Sequence, residues 1–141
     1  ESERRGLEFV TRKITNGVAK IKLGIADSIT LGNLDAKRDW GYAPDYVEAM
    51  WLMLQKKKPK DFVVGTGQMH SVLEFVKLAF KVVGLDYKKY LKLNKSLLRP
   101  AEVDTLKADY AQARKILKWK PKTNFKQLVK EMVTEDLKFF K

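Results

Sequence analysis

Two short clusters carry the side chains best suited to holding an anion, Lys37-Arg38-Asp39 and Arg99-Pro100-Ala101-Glu102. An arginine guanidinium matches a phosphate with paired hydrogen bonds, and a nearby glutamate accepts from vicinal ribose hydroxyls. Each cluster therefore suits a nucleotide diphosphate. Each equally suits a surface ion pair of little energetic value, and spacing alone leaves the two readings even. Other chemistry is sparse. His70 is the single histidine, just ahead of a helix start at Ser71, where a turn or capping role outweighs that of a general base. Gly65-Thr66-Gly67 lacks the third glycine of a dinucleotide fingerprint and reads as a tight strand-to-helix turn. No P-loop, HExxH, GxSxG or EF-hand spacing occurs. There is no cysteine, hence no thiolate zinc site and no thiol nucleophile, and metal catalysis is not expected.

These residues need a scaffold, and 141 residues with 45% hydrophobic content are enough for one folding unit with a core. The same figures argue against intrinsic disorder. The longest apolar stretches are interrupted by polar residues, so neither a membrane span nor a secretory leader is expected. The lack of cysteine agrees with a reducing compartment, and the cytoplasm is the expected location. A formal charge of +12 attracts polyanions: nucleic acid, an anionic membrane surface or a phosphate-bearing small molecule.

Hydrophobic periodicity supplies the elements. Phe9, Ile14, Val18, Ala19, Ile21 and Leu23 recur at helical spacing, predicting an amphipathic helix over 9–23 stopped by Gly24. Ile29-Thr30-Leu31 is a short β-type run, and 39–43 reads as extended. Pro44 opens a helix to about Lys56 with an apolar stripe of Tyr46, Val47, Met50, Trp51 and Leu54. The run 56–60 is a solvated basic loop, its proline at Pro59 ending the helix before it. Phe62-Val63-Val64 reads as a buried strand feeding the glycine turn. Ser71 with Glu74 forms a capping box for a helix over 72–83, and Asp109 with Gln112 fits another before 111–117. Thr123 caps a last helix containing Phe125, Leu128, Val129, Met132, Val133 and Leu137. The fold class is α/β, mostly helices with a few short strands.

Taken in order, several segments resemble the GDP-mannose 4,6-dehydratase family of extended short-chain dehydrogenase/reductases. Glu1 to Gly6 is similar to the family's ESPRRG, and Phe9 to Ile14 to its FVTRKI. Leu31 to Ala43, continuing through Asp45 to Trp51, is the most specific signature, followed by Arg99 to Asp104 and Trp119 to Thr123. The resemblance implies the C-terminal, substrate-binding lobe of a Rossmann-type NAD(P)-binding fold, with 1–141 as one unit. The family's glycine-rich dinucleotide turn and catalytic residues precede the matching region, so no catalytic residue is expected here, and the chain alone is expected to be inactive. The strand at 62–64 would then want a sheet outside the chain, which predicts marginal stability or aggregation.

The implied activity is a lyase reaction that converts GDP-mannose to GDP-4-dehydro-6-deoxymannose with NADP, the first step towards GDP-fucose and related deoxysugars. The implied assembly of the full-length protein is a homodimer or tetramer. Residue by residue, Arg5 matches the arginine at the NADP end of the site. Lys13 and the Val10 backbone match the segment holding guanosine diphosphate. Asn33, Lys37 and Arg38 match the loop along the nucleotide, and Arg99 with Glu102 matches the diphosphate and ribose contacts. Several positions depart from the family pattern, among them Gln68-Met69, which replaces a Glu-Thr before His70 and leaves one fewer charge near that turn. Glu3 replaces a proline and is expected to compete for Arg5; Leu73 and Lys118 replace arginine and glycine and are expected to alter helix surfaces only. The alternative is a stand-alone basic nucleic-acid-binding module, favoured by the charge, the 56–60 run and the basic-aromatic stretch 87–90. Against it, the basic residues are dispersed and form no recognised nucleic-acid motif.

Overall fold

The computed structural model describes residues 1–97 and 103–141. Its elements run α1 (Val10–Lys22), β1 (Ile29–Leu31), β2 (Lys37–Arg38), α2 (Ala43–Leu54), β3 (His70–Ser71), α3 (Val72–Val82), β4 (Leu91–Leu93), α4 (Ala111–Leu117) and α5 (Phe125–Phe139). β1 pairs with β4 in parallel, and β2 pairs with β3 antiparallel.

The larger core lies between α1, α3 and α5. Ile14 and Val18 of α1, Phe75, Val76 and Phe80 of α3, and Val129, Met132 and Val133 of α5 are fully buried there, as their three- and four-residue spacing requires. β1 lies against α1 so closely that a Cβ on Gly17 would sit 2.2 Å from Ile29 Cγ2. A smaller core joins α2 to α4 through Ala49, Ala113, Leu117 and Trp119. The Trp119 indole N–H donates to the Asp45 carbonyl at 2.8 Å, and the Asp45 carboxylate accepts from the Lys122 and Thr123 amides. A buried carboxylate thus fixes the chain entering α5.

The capping box at Ser71 and Glu74 is present with both of its hydrogen bonds. At α5 the cap is Asn124 with Gln127, one residue after the expected Thr123. Asp109 and Gln112 make no capping box. Asp109 instead accepts from the Ala111 amide, and Tyr110 stands at the cap without a side-chain bond.

Two expectations need larger correction. Most of the stripe predicted to bury α2 faces outward: Val47, Met50, Trp51 and Leu54 are each more than half exposed, while Tyr46 packs against Trp119 and Asp45 and Ala49 are buried. The helix has a second, shorter apolar side, and the close approach of α4 selects it. Phe62-Val63-Val64 forms no strand, because among the described residues no extended segment pairs with its amide and carbonyl groups. Conversely, β4 forms in a stretch that carries no local strand signal. Its partner, β1, lies far earlier in the chain.

Lys118 alters more than a surface. It terminates α4 with φ 58° and ψ 21°, a left-handed conformation in which a Cβ costs about 1 kcal/mol. Lys118→Gly is expected to raise stability by about 0.5–1 kcal/mol, read as a higher urea midpoint at unchanged slope. Among the described residues no helix is long and apolar enough to cross a membrane.

Candidate functional site

The N-terminus of α1 opens into a cleft of about 820 Å³. Phe9 precedes the helix without giving a side-chain cap, and the first turn carries no acidic residue. Amides of that turn are therefore left with positive partial charge at the cleft, where Phe9, Val10 and Thr11 all line the wall. Lys13 follows within the next turn. An anion is the natural complement of such a helix start.

The cleft brings together Arg5, Val10, Lys13, Asn33 and Arg38, residues drawn from three separate segments. Lys107 adds a further cation that no sequence motif singles out. Arg38 is held by its own strand. Its backbone pairs with His70, and its Nη1 donates to the Lys37 carbonyl at 2.9 Å and to that of Asp104 at 3.4 Å. The Asn33 side-chain oxygen accepts from the Asp35 and Ala36 amides, which fixes the turn after β1.

Lys37 is not among the residues lining the cleft. Its backbone carries the local structure instead: its amide donates to the Asp104 carbonyl and its own carbonyl accepts from the Leu106 amide, so that 104–106 runs beside β2. Arg99 and Glu102 lie outside the described residues. Leu97 and Leu106, which bracket them in sequence, both line the cleft.

Arg5 lies over the Phe9 ring, 3.5 Å from guanidinium carbon to ring centroid, with its side chain 40% exposed. The carboxylate competing for it comes from Glu1, 3.5 Å from Nε, rather than from the expected Glu3. Glu3 lies nearer Arg4, at 3.9 Å. Glu1 also accepts from the Thr11 hydroxyl at 2.6 Å.

The floor is aromatic. Trp40, only 7% exposed, meets Phe75 edge-on at 5.4 Å and stacks on Phe125 at 6.3 Å. His70 stacks on the same Phe125 at 3.7 Å, faces Glu74 with Nδ1 at 3.4 Å, and does not line the cleft. A packing and turn role for the single histidine follows. Trp40 and the 106–108 wall are site residues that motif and spacing do not reveal, although Trp40 stands in the most specific signature segment; Asp39, named in the Lys37-Arg38-Asp39 cluster, also lines the cleft.

A second hollow, of about 970 Å³, lies along α4 and is lined by Lys107, Arg114, Lys115, Lys118 and Lys120 among others. It is larger, yet holds none of the expected site residues. Those lysine and arginine side chains are exposed, as on a solvated basic face.

This geometry can be set beside known proteins. A family model described as GDP-mannose 4,6 dehydratase matches residues 1–132. GDP-mannose 4,6 dehydratase 1 of Arabidopsis thaliana is 53% identical over 141 residues, covering 100% of this chain and 39% of that protein. The human GDP-mannose 4,6 dehydratase is 47% identical over 158 residues, with 100% and 42% covered. The chain thus spans about two fifths of the length of these relatives. Among solved structures, RMD from Pseudomonas aeruginosa complexed with NADPH superposes with a TM-score of 0.86 at 20% identity, covering 96% of this chain and 44% of that one. dTDP-glucose 4,6-dehydratase from Bacillus anthracis in complex with NAD gives 0.80 at 17% identity, with 95% and 40% covered. The fold is therefore that of the corresponding part of the Rossmann-type extended short-chain dehydrogenase/reductases. With the family model matching nearly the whole chain, this protein belongs to the GDP-mannose 4,6-dehydratase family.

Proposed function

We propose that the α1 cleft binds the guanosine diphosphate portion of GDP-mannose, and that the chain forms the substrate-binding lobe of a GDP-mannose 4,6-dehydratase. The observation carrying this reading is the convergence of Lys13, Arg38 and an uncapped helix start on one cleft. Two cations and a set of helix-start amides match the two charges of a diphosphate. Trp40 offers an apolar floor for the less polar parts of the ligand. Arg99 and Glu102 belong to the same site in this reading, as contacts to diphosphate and ribose.

Arg5 is the residue assigned to NADP. It fits as a single anion contact, since its guanidinium is partly exposed at the cleft and oriented by Phe9. When bound, NADP supplies the hydride acceptor and donor for the dehydration. The residues of this chain bind and orient: Arg5 must exchange Glu1 for the ligand, while Lys13 and the α1 amides hold phosphate without moving protons. The names of NADPH- and NAD-bound structural neighbours support a nicotinamide cofactor. Assembly of the full-length protein into a homodimer or tetramer and a cytoplasmic location complete the proposal.

Calorimetric titration of the 141-residue chain with GDP-mannose, with UDP-glucose as control, tests it. GDP-selective binding at fixed salt, with a salt dependence no steeper than a few charge contacts require, is the expected result. Equal response to both ligands would overturn the guanosine assignment. Silence to both, with tight and steeply salt-dependent binding of single-stranded DNA, would instead establish the nucleic-acid module.

A further inference from the structure

We infer that Asp39 is a positioning residue of this cleft, a carboxylate that clamps the 106–108 wall against the glycine turn at 65–67. Two segments distant in sequence meet on its two oxygens. Oδ1 accepts from the Thr66 amide at 2.9 Å and from the Thr66 hydroxyl at 2.6 Å. Oδ2 accepts from the Gly67 amide at 2.8 Å and from the Ala108 amide at 3.1 Å. Backbone amides held by an ionised acceptor are among the stronger hydrogen bonds of a protein, and here four donors share one group.

The surroundings are built for this approach. A Cβ on Gly65 would lie 2.2 Å from the Ala108 Cβ and 3.2 Å from Asp39 Oδ2, so a side chain there would push the wall away. Gly67 takes φ +73°, a conformation that L side chains rarely adopt, and in it donates its amide to the carboxylate. The clamped segment is functional surface: Leu106, Lys107 and Ala108 line the cleft beside Arg38, the immediate neighbour of Asp39. The neighbouring 104–106 stretch receives Arg38 Nη1 and pairs with Lys37. Asp39 thus acts through others. It sets the distance between the strand that carries Arg38 and the wall that carries Lys107.

This inference rests on the nucleotide reading for its effect on ligand affinity, and its test separates the two. Asp39→Ala removes all four acceptor contacts, whereas Asp39→Asn keeps one acceptor oxygen and serves either the Thr66 side or the Gly67–Ala108 side. Calorimetry with GDP-mannose is expected to show at least about tenfold weaker binding for Asp39→Ala and an intermediate value for Asp39→Asn. Amide hydrogen exchange is expected to accelerate at least about tenfold at Gly67 and Ala108, while Ile14, Val76 and Val129 stay protected. A urea midpoint lowered in proportion to the lost affinity would mark a merely structural role and overturn the inference. Unchanged exchange at Ala108 would overturn it equally. Should Asp39→Ala fail to fold, Asp39→Asn and Gly65→Ala, which disturbs the wall from its other side, decide the same question. Should the unmodified chain ignore GDP-mannose, the nucleotide reading fails, and the exchange pattern alone settles whether Asp39 is the clamp.

Discussion

Asp136→Ala is expected to destabilise the chain by about 3–5 kcal/mol, measured as a fall in the urea midpoint. The Asp136 side chain has no exposed surface, and its Arg12 partner is 14% exposed. Arg12 Nε donates to both carboxylate oxygens at 3.1 Å, and Nη2 adds a third contact to Oδ1. Removing the carboxylate strands a guanidinium in a site with little water. Stability of about 5–15 kcal/mol is usual for a domain, so this loss takes a large share. The paired charges are not the reason the fold is stable, because burying both ions offsets much of their attraction. Arg12→Met with Asp136→Leu is accordingly expected to recover most of the loss. The double variant retains a different defect. Arg12 Nη1 also donates to the Arg5 carbonyl at 3.2 Å, tying the segment that bears Arg5 to α1. Restored stability with faster amide exchange at Arg5, whose amide donates to the Ser2 carbonyl, is the expected signature, and unchanged exchange there would show that Arg12 does not position Arg5.

Such pairs explain which parts of the fold are legible in the sequence. α1, α3 and α5 follow from local periodicity and from the Ser71–Glu74 box, since every signal lies within a few residues. α2 is legible as a helix but not in its orientation. Periodicity reveals that a helix has apolar residues on a face, and only a partner such as Trp119 decides which face is covered. The strand expected at 62–64 and the unexpected β4 fail for one reason in opposite directions: a strand is a pairing, and its partner is distant in the chain. The partners of the Asp39, Asp45 and Asp136 carboxylates are invisible for the same reason. Each binds groups far away in sequence; Asp45 and Asp136 sit in no local pattern that would single them out, and the Lys37-Arg38-Asp39 cluster marks Asp39 only as a partner for Arg38. For the site, residue spacing alone leaves Arg38 between a nucleotide contact and a surface ion pair with Asp39. The Asp39 oxygens are instead committed to Thr66, Gly67 and Ala108, which weighs against the second reading. A common ligand for Arg5, Val10, Lys13, Asn33 and Arg38 comes from the family resemblance and not from their spacing. Their convergence on one cleft is a separate, geometric observation.

That convergence fixes the other large expected effect, Lys13→Glu combined with Arg38→Glu. Loss of a charge-assisted hydrogen bond to an anion costs about 1.5–3 kcal/mol, roughly tenfold to a hundredfold in affinity. Two such losses, with two like charges then facing the phosphates, are expected to weaken GDP-mannose binding by at least about a thousandfold. Stability should move far less than affinity. Lys13 is exposed, Arg38 is partly so, and neither contributes to the buried core, so the unfolding free energy is expected to fall by no more than about 1.5 kcal/mol, the order of the exposed hydrogen bonds that Arg38 gives up. A control with the same charge change placed elsewhere, Lys115→Glu with Lys120→Glu on the α4 hollow, separates site from field. If the long-range positive field governs binding, both double variants lower affinity alike, and the difference vanishes at high salt. If the α1 cleft is the site, only the first pair abolishes binding, and the second leaves it within about threefold of the parent at physiological ionic strength.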